Sequence, residues 1–317
     1  MNLPNTNISL PALTEKDIKD VIFAISLEVD WIALSFVRNT QDLIDLRKLI
    51  DQHSEHKIPV IAKIEKPEAV ANIRQITAYC DGLMVARGDL GVEVDMEKVP
   101  LIQKKLVLQA KKARVPVIIA TQMMETMITN QVPTRAEVND VANSIMDGAD
   151  AVMLSGETSV GDYPVEVIRK MRSIIESVED SPLIVKPESF IQSVNDRFIS
   201  KIICRQAAKM ADYMGATVIS TLTNSGYTAF QISAWRPKTH ILAFSDNRRV
   251  LPMLNLLWGV KGIFYDELKS TDDTVVEINE IAKSKGYTKE GDFVINLTSM
   301  PVKEKGMVNT LRVSKIE

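Results

Sequence analysis

The sequence predicts an α/β protein: a run of βα units forming a parallel sheet, followed by a second, smaller α/β domain. Three observations carry this reading. Five short apolar runs recur roughly every 23 to 34 residues, at 31–35 (WIALS), 60–65 (VIAKIE), 83–89 (LMVARGD), 117–122 (VIIATQ) and 151–157 (AVMLSGE), which is the spacing of βα units. The runs are continuous rather than alternating, as in strands covered on both faces. Each ends in polar residues able to do chemistry, where parallel α/β folds build their sites.

Taken in order, Thr14-Glu15-Lys16-Asp17 is a capping pattern that opens a helix ahead of the first strand. Between strands one and two, residues 40–52 place Leu43, Leu46, Leu49 and Ile50 on one helical face. Residues 99–113 carry a further helix before Val115-Pro116 starts the fourth strand. The pattern relaxes near Asp180-Ser181-Pro182 and Pro187-Glu188-Ser189, a linker, which sets domains at 1–181 and 182–317. The second domain reads as a helix over about 194–214, then strands near 217–222, 240–244, 262–265, 292–297 and 311–313. Helices lie between the first four, and the last two form a hairpin-like pair around 299–308.

Composition narrows the function. The 317 residues are 45% hydrophobic and 25% charged, with a formal net charge of -3 and both signs interspersed, which argues against nucleic-acid or membrane-surface binding as the main role. No run has the length of a membrane span, and the N-terminus lacks the basic start and apolar core of a secretory signal, so a cytoplasmic location is expected. Cys80 and Cys204 lie far apart without metal-ligand spacing and read as buried free thiols.

Chemistry concentrates at the strand ends. Alternation along 60–65 turns Lys63 and Glu65 to the same side, with Ala62 and Ile64 on the other. A buried ammonium and carboxylate together are either a structural ion pair or a site for a metal and a charged substrate. Ala86-Arg87-Gly88-Asp89-Leu90-Gly91 puts a carboxylate and two glycines just past the next strand. There backbone N–H groups can meet an anion and Asp89 can reach a cation. Two carboxylates on neighbouring strands, without histidine or thiolate, suit Mg²⁺ or Mn²⁺ rather than zinc. Thr121, Ser155 and Glu157 end the last two strands, where a hydroxyl or carboxylate can pass a proton or serve only as a turn or cap.

These motifs, in order and spacing, resemble those of the pyruvate kinase family. The stretch 60–66 (VIAKIEK) is similar to its active-site signature and 84–91 (MVARGDLG) to its next strand. The likeness continues through 120–123 (ATQM), 133–137 (PTRAE) and 153–158 (MLSGET). The resemblance implies a partial (β/α)8 TIM barrel followed by a regulatory α/β domain, and phosphoryl transfer from phosphoenolpyruvate to ADP to give pyruvate and ATP. It implies that Lys63 stabilises the enolate, that Glu65 and Asp89 bind Mg²⁺ or Mn²⁺, and that Thr121 serves in protonating the enolate carbon. The backbone of Ala86, Arg87, Gly88 and Asp89 would hold the substrate carboxylate. Ser35 would lie near the substrate phosphate, and Ser155 and Glu157 near the proton-relay end. Thr223, Asn224, Ser225, Gly226 and Thr228 match the loop that binds an effector phosphate in many members. The facing stretch 300–306 (MPVKEKG) departs from the pattern of members regulated by fructose bisphosphate, leaving a sugar monophosphate or no effector as alternatives. A homotetramer is implied for the complete protein, and K⁺ is possible, with ligands outside this chain.

Five βα units stand where a closed barrel has eight. By resemblance, Met1 falls just after the family's lid domain, so the expectation is that the first three strands and the lid are absent and that this chain has little or no turnover. The competing readings are a metal-dependent aldolase or lyase acting on pyruvate enolates, and a non-catalytic module binding sugar phosphates.

Overall fold

The computed structural model describes residues 13–181, 197–267, 270–300 and 307–317. The chain divides into two compact units, Met1–Val185 and Lys186–Glu317, a division four residues beyond the expected one and within the stretch 182–196 that is not described.

The first unit is a parallel five-stranded sheet in sequential order: β1 (Ile32–Leu34), β2 (Val60–Ile64), β3 (Gly82–Ala86), β4 (Val117–Ala120) and β5 (Ala151–Met153). The strands are shorter than the apolar runs that announced them, because the polar end of each run turns out of the sheet. Their alternate residues separate two layers. Leu34, Val60, Ala62, Ile64, Leu83, Val85, Val117 and Ile119 join one core with Leu43, Leu46 and Ile50 of the helix Thr40–His53 and Leu106 and Val107 of the helix Val99–Ala113. Each such Leu or Ile side chain contributes about 2 kcal/mol on leaving water. Ile61, Met84, Ala86, Ile118 and Ala120 are buried on the opposite face, outside that core. Lys63 belongs to this second set by register, opposite Met84.

Helix starts follow the sequence. Thr14, Asn39 and Thr134 each form a capping box, with Asp17, Asp42 and Glu137 respectively, satisfying amide donors that a helix leaves open. At the opposite end of the sheet from the site, Asp81 accepts from Arg47 Nη2 (2.6 Å), Lys57 Nζ (2.7 Å) and the Val60 amide (2.9 Å). Asp150 likewise accepts from the Val117 amide at 2.9 Å, so an aspartate pins the start of the preceding strand twice. Burial pushes the Asp81 carboxyl up, but the Lys57 and Arg47 bonds outweigh it and hold it below the ordinary carboxylate value. A depressed native pKa stabilises the fold above the unfolded pKa and ceases to do so as pH falls through the native one. We therefore expect Asp81→Asn to cost about 1–3 kcal/mol at neutral pH. In urea titrations this gap should close below about pH 4, the unfolded carboxylate range.

The second unit is also five-stranded, in the order β10-β9-β6-β7-β8, from β6 (Val218–Leu222), β7 (His240–Ser245), β8 (Val260–Phe264), β9 (Phe293–Thr298) and β10 (Thr310–Lys315). All pairs are parallel except β9 with β10, the hairpin-like pair expected from the sequence. Helices cover both faces. Ile219, Ile241, Ile295 and Leu297 pack with Cys204, Ala207 and Ala211 of the helix Phe198–Met214. Val218, Leu242, Phe244 and Val294 pack with Ile278 and Ala282 of the helix Thr271–Ser284. Asn296, 1% exposed in the middle of β9, donates to Ser220 Oγ (2.7 Å) and Asn279 Oδ1 (2.9 Å) and accepts from Ser314 Oγ (2.9 Å). A buried amide so satisfied fixes the register of three strands, because a slip would leave it unpaired.

Candidate active site

The site begins where β1 and β2 end. Lys63, in β2, donates to Ser35 Oγ at 2.8 Å, and its ammonium lies 2.7 Å from Glu65 Oε1. Glu65 is 1% exposed. Its Oε2 accepts from the Phe36 amide at 2.6 Å, fastening β1's end to β2's, and Phe36 takes a left-handed φ of 53° to present that amide. Its Oε1 makes no hydrogen bond: the ammonium is close but not aligned. With the ammonium this close, the buried carboxylate is half of a tight ion pair, an arrangement open to a structural role or to holding a cation.

Asp89 is half-buried in the first turn of the helix Arg87–Glu93, which leaves directly from β3. Glu65 and Asp89 thus follow neighbouring strands. Among the described residues no group of three His, Cys, Asp or Glu could hold a metal. Two carboxylates with no soft ligand fit a hard cation that fills its remaining positions with water and substrate oxygens, the habit of Mg²⁺. Lys66 turns to the helix instead: its ammonium pairs with Glu93 Oε1 at 2.6 Å, both largely buried, and stands 5.9 Å from the Phe36 ring centroid.

Ala86 pairs with Ala120, so Arg87 and Thr121 leave the sheet side by side. Thr121 Oγ1 accepts from the Gly88 amide at 2.7 Å and donates to Ala120 O at 2.5 Å. Thr121 and Gln122 both have positive φ, 68° and 54°, a conformation that costs about 1–3 kcal/mol per non-glycine residue and persists only where its surroundings enforce it. Arg87 is what enforces it. Its buried guanidinium donates to Thr121 O from Nε (3.2 Å) and Nη2 (2.7 Å), to Gln122 O (3.1 Å) and to Met123 Sδ (2.9 Å). Nη1 reaches Asp140 Oδ1 at 2.6 Å and Gln103 Oε1 at 3.4 Å. The Arg87 side chain is thus engaged by groups of the protein itself, and the substrate contact expected from the sequence was assigned to its backbone.

Glu157 is 3% exposed, and both its oxygens meet backbone: Oε1 the Met124 amide (3.3 Å) and Oε2 the Ser155 amide (2.7 Å). It ties the segment after β4 to the segment after β5. Ser155 itself is exposed. The structure therefore joins Lys63, Glu65 and Ser35 directly and Thr121 with Gly88, and sets Glu157 to holding loops. Sequence reasoning missed Lys66, Glu93, Gln103 and Asp140. The only available signal was that Lys66 directly follows Glu65.

In the second unit, Thr223 Oγ1 accepts from the Gly226 amide at 3.0 Å, closing the loop after β6. Gly226 has a φ of 78°, and a Cβ there would meet Leu254 Cδ2 at 3.0 Å. Asn224 and Ser225 are exposed while Thr228 is buried. Residues 301–306, expected from the sequence to face this loop, lie outside those described.

Fold and site together define a parallel α/β domain of the barrel class followed by a second α/β domain. The family model described as pyruvate kinase, barrel domain, matches residues 1–168, and that described as pyruvate kinase, alpha/beta domain, matches 201–314. The chain belongs to the pyruvate kinase family. It is 43% identical over 295 residues to pyruvate kinase 2 of Synechocystis sp., covering 93% of this chain and 49% of that protein. It is 41% identical to the pyruvate kinase of Geobacillus stearothermophilus, covering 100% of this chain and 54% of the relative, and 38% identical to that of Clostridium acetobutylicum, covering 100% and 67%. The chain spans about half to two thirds of the length of these relatives. Among the described residues no helix is long and apolar enough to cross a membrane.

Proposed function

We propose that this site serves the transfer of a phosphoryl group between phosphoenolpyruvate and ADP, giving pyruvate and ATP, by stabilising the pyruvate enolate left when the phosphoryl group departs. The observation that carries the reading is the Lys63 ammonium paired at 2.7 Å with the buried Glu65 carboxylate where β1 and β2 end. Ser35 orients Lys63, so a positive charge is fixed before the enolate oxygen becomes negative, and preorganised charge of this kind usually lowers such a barrier more than any other effect. Mg²⁺ or Mn²⁺ held by Glu65 and Asp89 would add charge neutralisation at the same oxygens. The backbone of Ala86, Arg87, Gly88 and Asp89, at the start of a helix, is the proposed cradle for the substrate carboxylate. Thr121 is the proposed holder of the proton passed to the enolate carbon, with Ser155 and Glu157 at the edge of that path.

The wider proposals follow the family: K⁺ as a second cation, a homotetramer, a cytoplasmic location, and a phosphorylated effector at Thr223, Asn224, Ser225, Gly226 and Thr228. The described sheet has five strands against the eight of a closed barrel, and we propose that the 317-residue chain alone has little or no ATP-forming turnover.

An enolate-stabilising site should exchange the methyl protons of pyruvate with solvent even where ATP formation is slow. The test is NMR of pyruvate in D2O with the chain, Mg²⁺, K⁺ and inorganic phosphate. Exchange that requires both Mg²⁺ and Lys63 supports the reading. Exchange no faster than buffer from folded chain overturns it, and cleavage of an aldol substrate at the same site would transfer it to the lyase class.

A further inference from the structure

We propose that Arg87 and Asp140 are positioning residues that set the proton-handling geometry of Thr121. The proposal deepens the reading above and rests on it. Two consecutive non-glycine residues with positive φ follow β4, and left to themselves they would relax toward ordinary backbone. The Arg87 guanidinium holds both carbonyls, Thr121 O and Gln122 O, from one side. Asp140, on the helix Arg135–Asp147, anchors the guanidinium through Nη1 at 2.6 Å. Gln103, 6% exposed on the helix Val99–Ala113, shares the same nitrogen at 3.4 Å.

The geometry has a directional consequence. With its carbonyl clamped and its φ fixed, Thr121 presents Oγ1 to the Gly88 amide, which donates to it at 2.7 Å, in the segment proposed to hold the substrate carboxylate. The chain of contacts runs Asp140, Arg87, Thr121, Gly88, and its outer end is a charge on a helix that supplies no proposed substrate contact. Arg87 and Asp140 therefore act through Thr121, and losing them should affect proton delivery to the enolate carbon while leaving the cation at Glu65 and Asp89 in place. A displaced catalytic group costs about a hundredfold in rate.

The test uses Asp140→Asn and Arg87→Lys, alone and combined with Thr121→Ala. Asparagine keeps an acceptor for Nη1 but removes the anchoring charge. Lysine keeps the charge but cannot span three carbonyl and sulfur acceptors. In the isotope-labelled chain, the Gly88 amide and Thr121 methyl resonances should shift in both variants, with Mn²⁺ affinity unchanged within about twofold. Pyruvate proton exchange should fall about tenfold in Asp140→Asn and about a hundredfold in Arg87→Lys. Neither should add to the loss caused by Thr121→Ala, since residues acting as a unit are not additive. Multiplicative losses, or unshifted Gly88 and Thr121 resonances, would overturn the proposal. Should the parent chain show no exchange, the enolate reading falls and the two resonances alone decide the coupling. If Arg87→Lys fails to fold, Asp140→Asn decides.

Discussion

Replacing Lys63 with methionine is expected to slow pyruvate proton exchange by at least about a thousandfold, the upper range for removing one donor from a preorganised anion site. Methionine matches the length and most of the volume of the lysine stem and removes only the charge. The loss should not come from misfolding, because Lys63 lies on the face of β2 opposite the apolar core that Val60, Ala62 and Ile64 join. The variant leaves Glu65 buried without the ammonium at 2.7 Å, so its stability should drop, and added Mn²⁺ should restore part of it. Circular dichroism melts with and without Mn²⁺ give that second reading. A Lys63→Met chain that keeps its exchange rate would remove the ammonium from the chemistry.

Glu65→Gln is expected to lower Mn²⁺ affinity by at least about a hundredfold, since even the outer-sphere partners of metal ligands are worth about ten- to a hundredfold. Glutamine keeps the oxygen that accepts from the Phe36 amide, so β1 and β2 remain fastened. Its amide nitrogen then faces the Lys63 ammonium, donor against donor, in a site that is nearly closed to water. Both the cation's charge partner and the ammonium's orientation are lost together. Calorimetric titration with Mn²⁺ measures the first, and the exchange rate at saturating Mn²⁺ measures what remains of the second.

The residues that carry these two effects were readable before any coordinates. Period-two alternation turned Lys63 and Glu65 to one side, and the apolar runs placed five parallel strands in order, because a strand buried on both faces has no freedom to be polar except at its end. What stayed hidden was the use made of single side chains. Arg87 reads as a polar residue past a strand, yet it is a buried clamp. Its partners Gln103 and Asp140 lie 16 and 53 residues away on helices whose facing surfaces no local pattern reports. The left-handed backbone at Thr121 and Gln122 was equally silent, since neither residue is one that favours it. The position of Glu157 at a strand end was legible, but not that folding brings two backbone amides onto its carboxylate. Tertiary demand settles such cases, and local sequence does not encode it.

The proposed chemistry depends above all on Glu65 and Asp89 sharing one divalent cation beside the Lys63 ammonium. Anomalous diffraction from crystals of this chain soaked in Mn²⁺ and pyruvate tests that most directly. The expected result is a single strong Mn²⁺ peak with carboxylate oxygens of Glu65 and Asp89 at about 2.0–2.2 Å and pyruvate oxygens between it and Lys63 Nζ. A peak elsewhere, or none, with Glu65 Oε1 still against the ammonium, would contradict it.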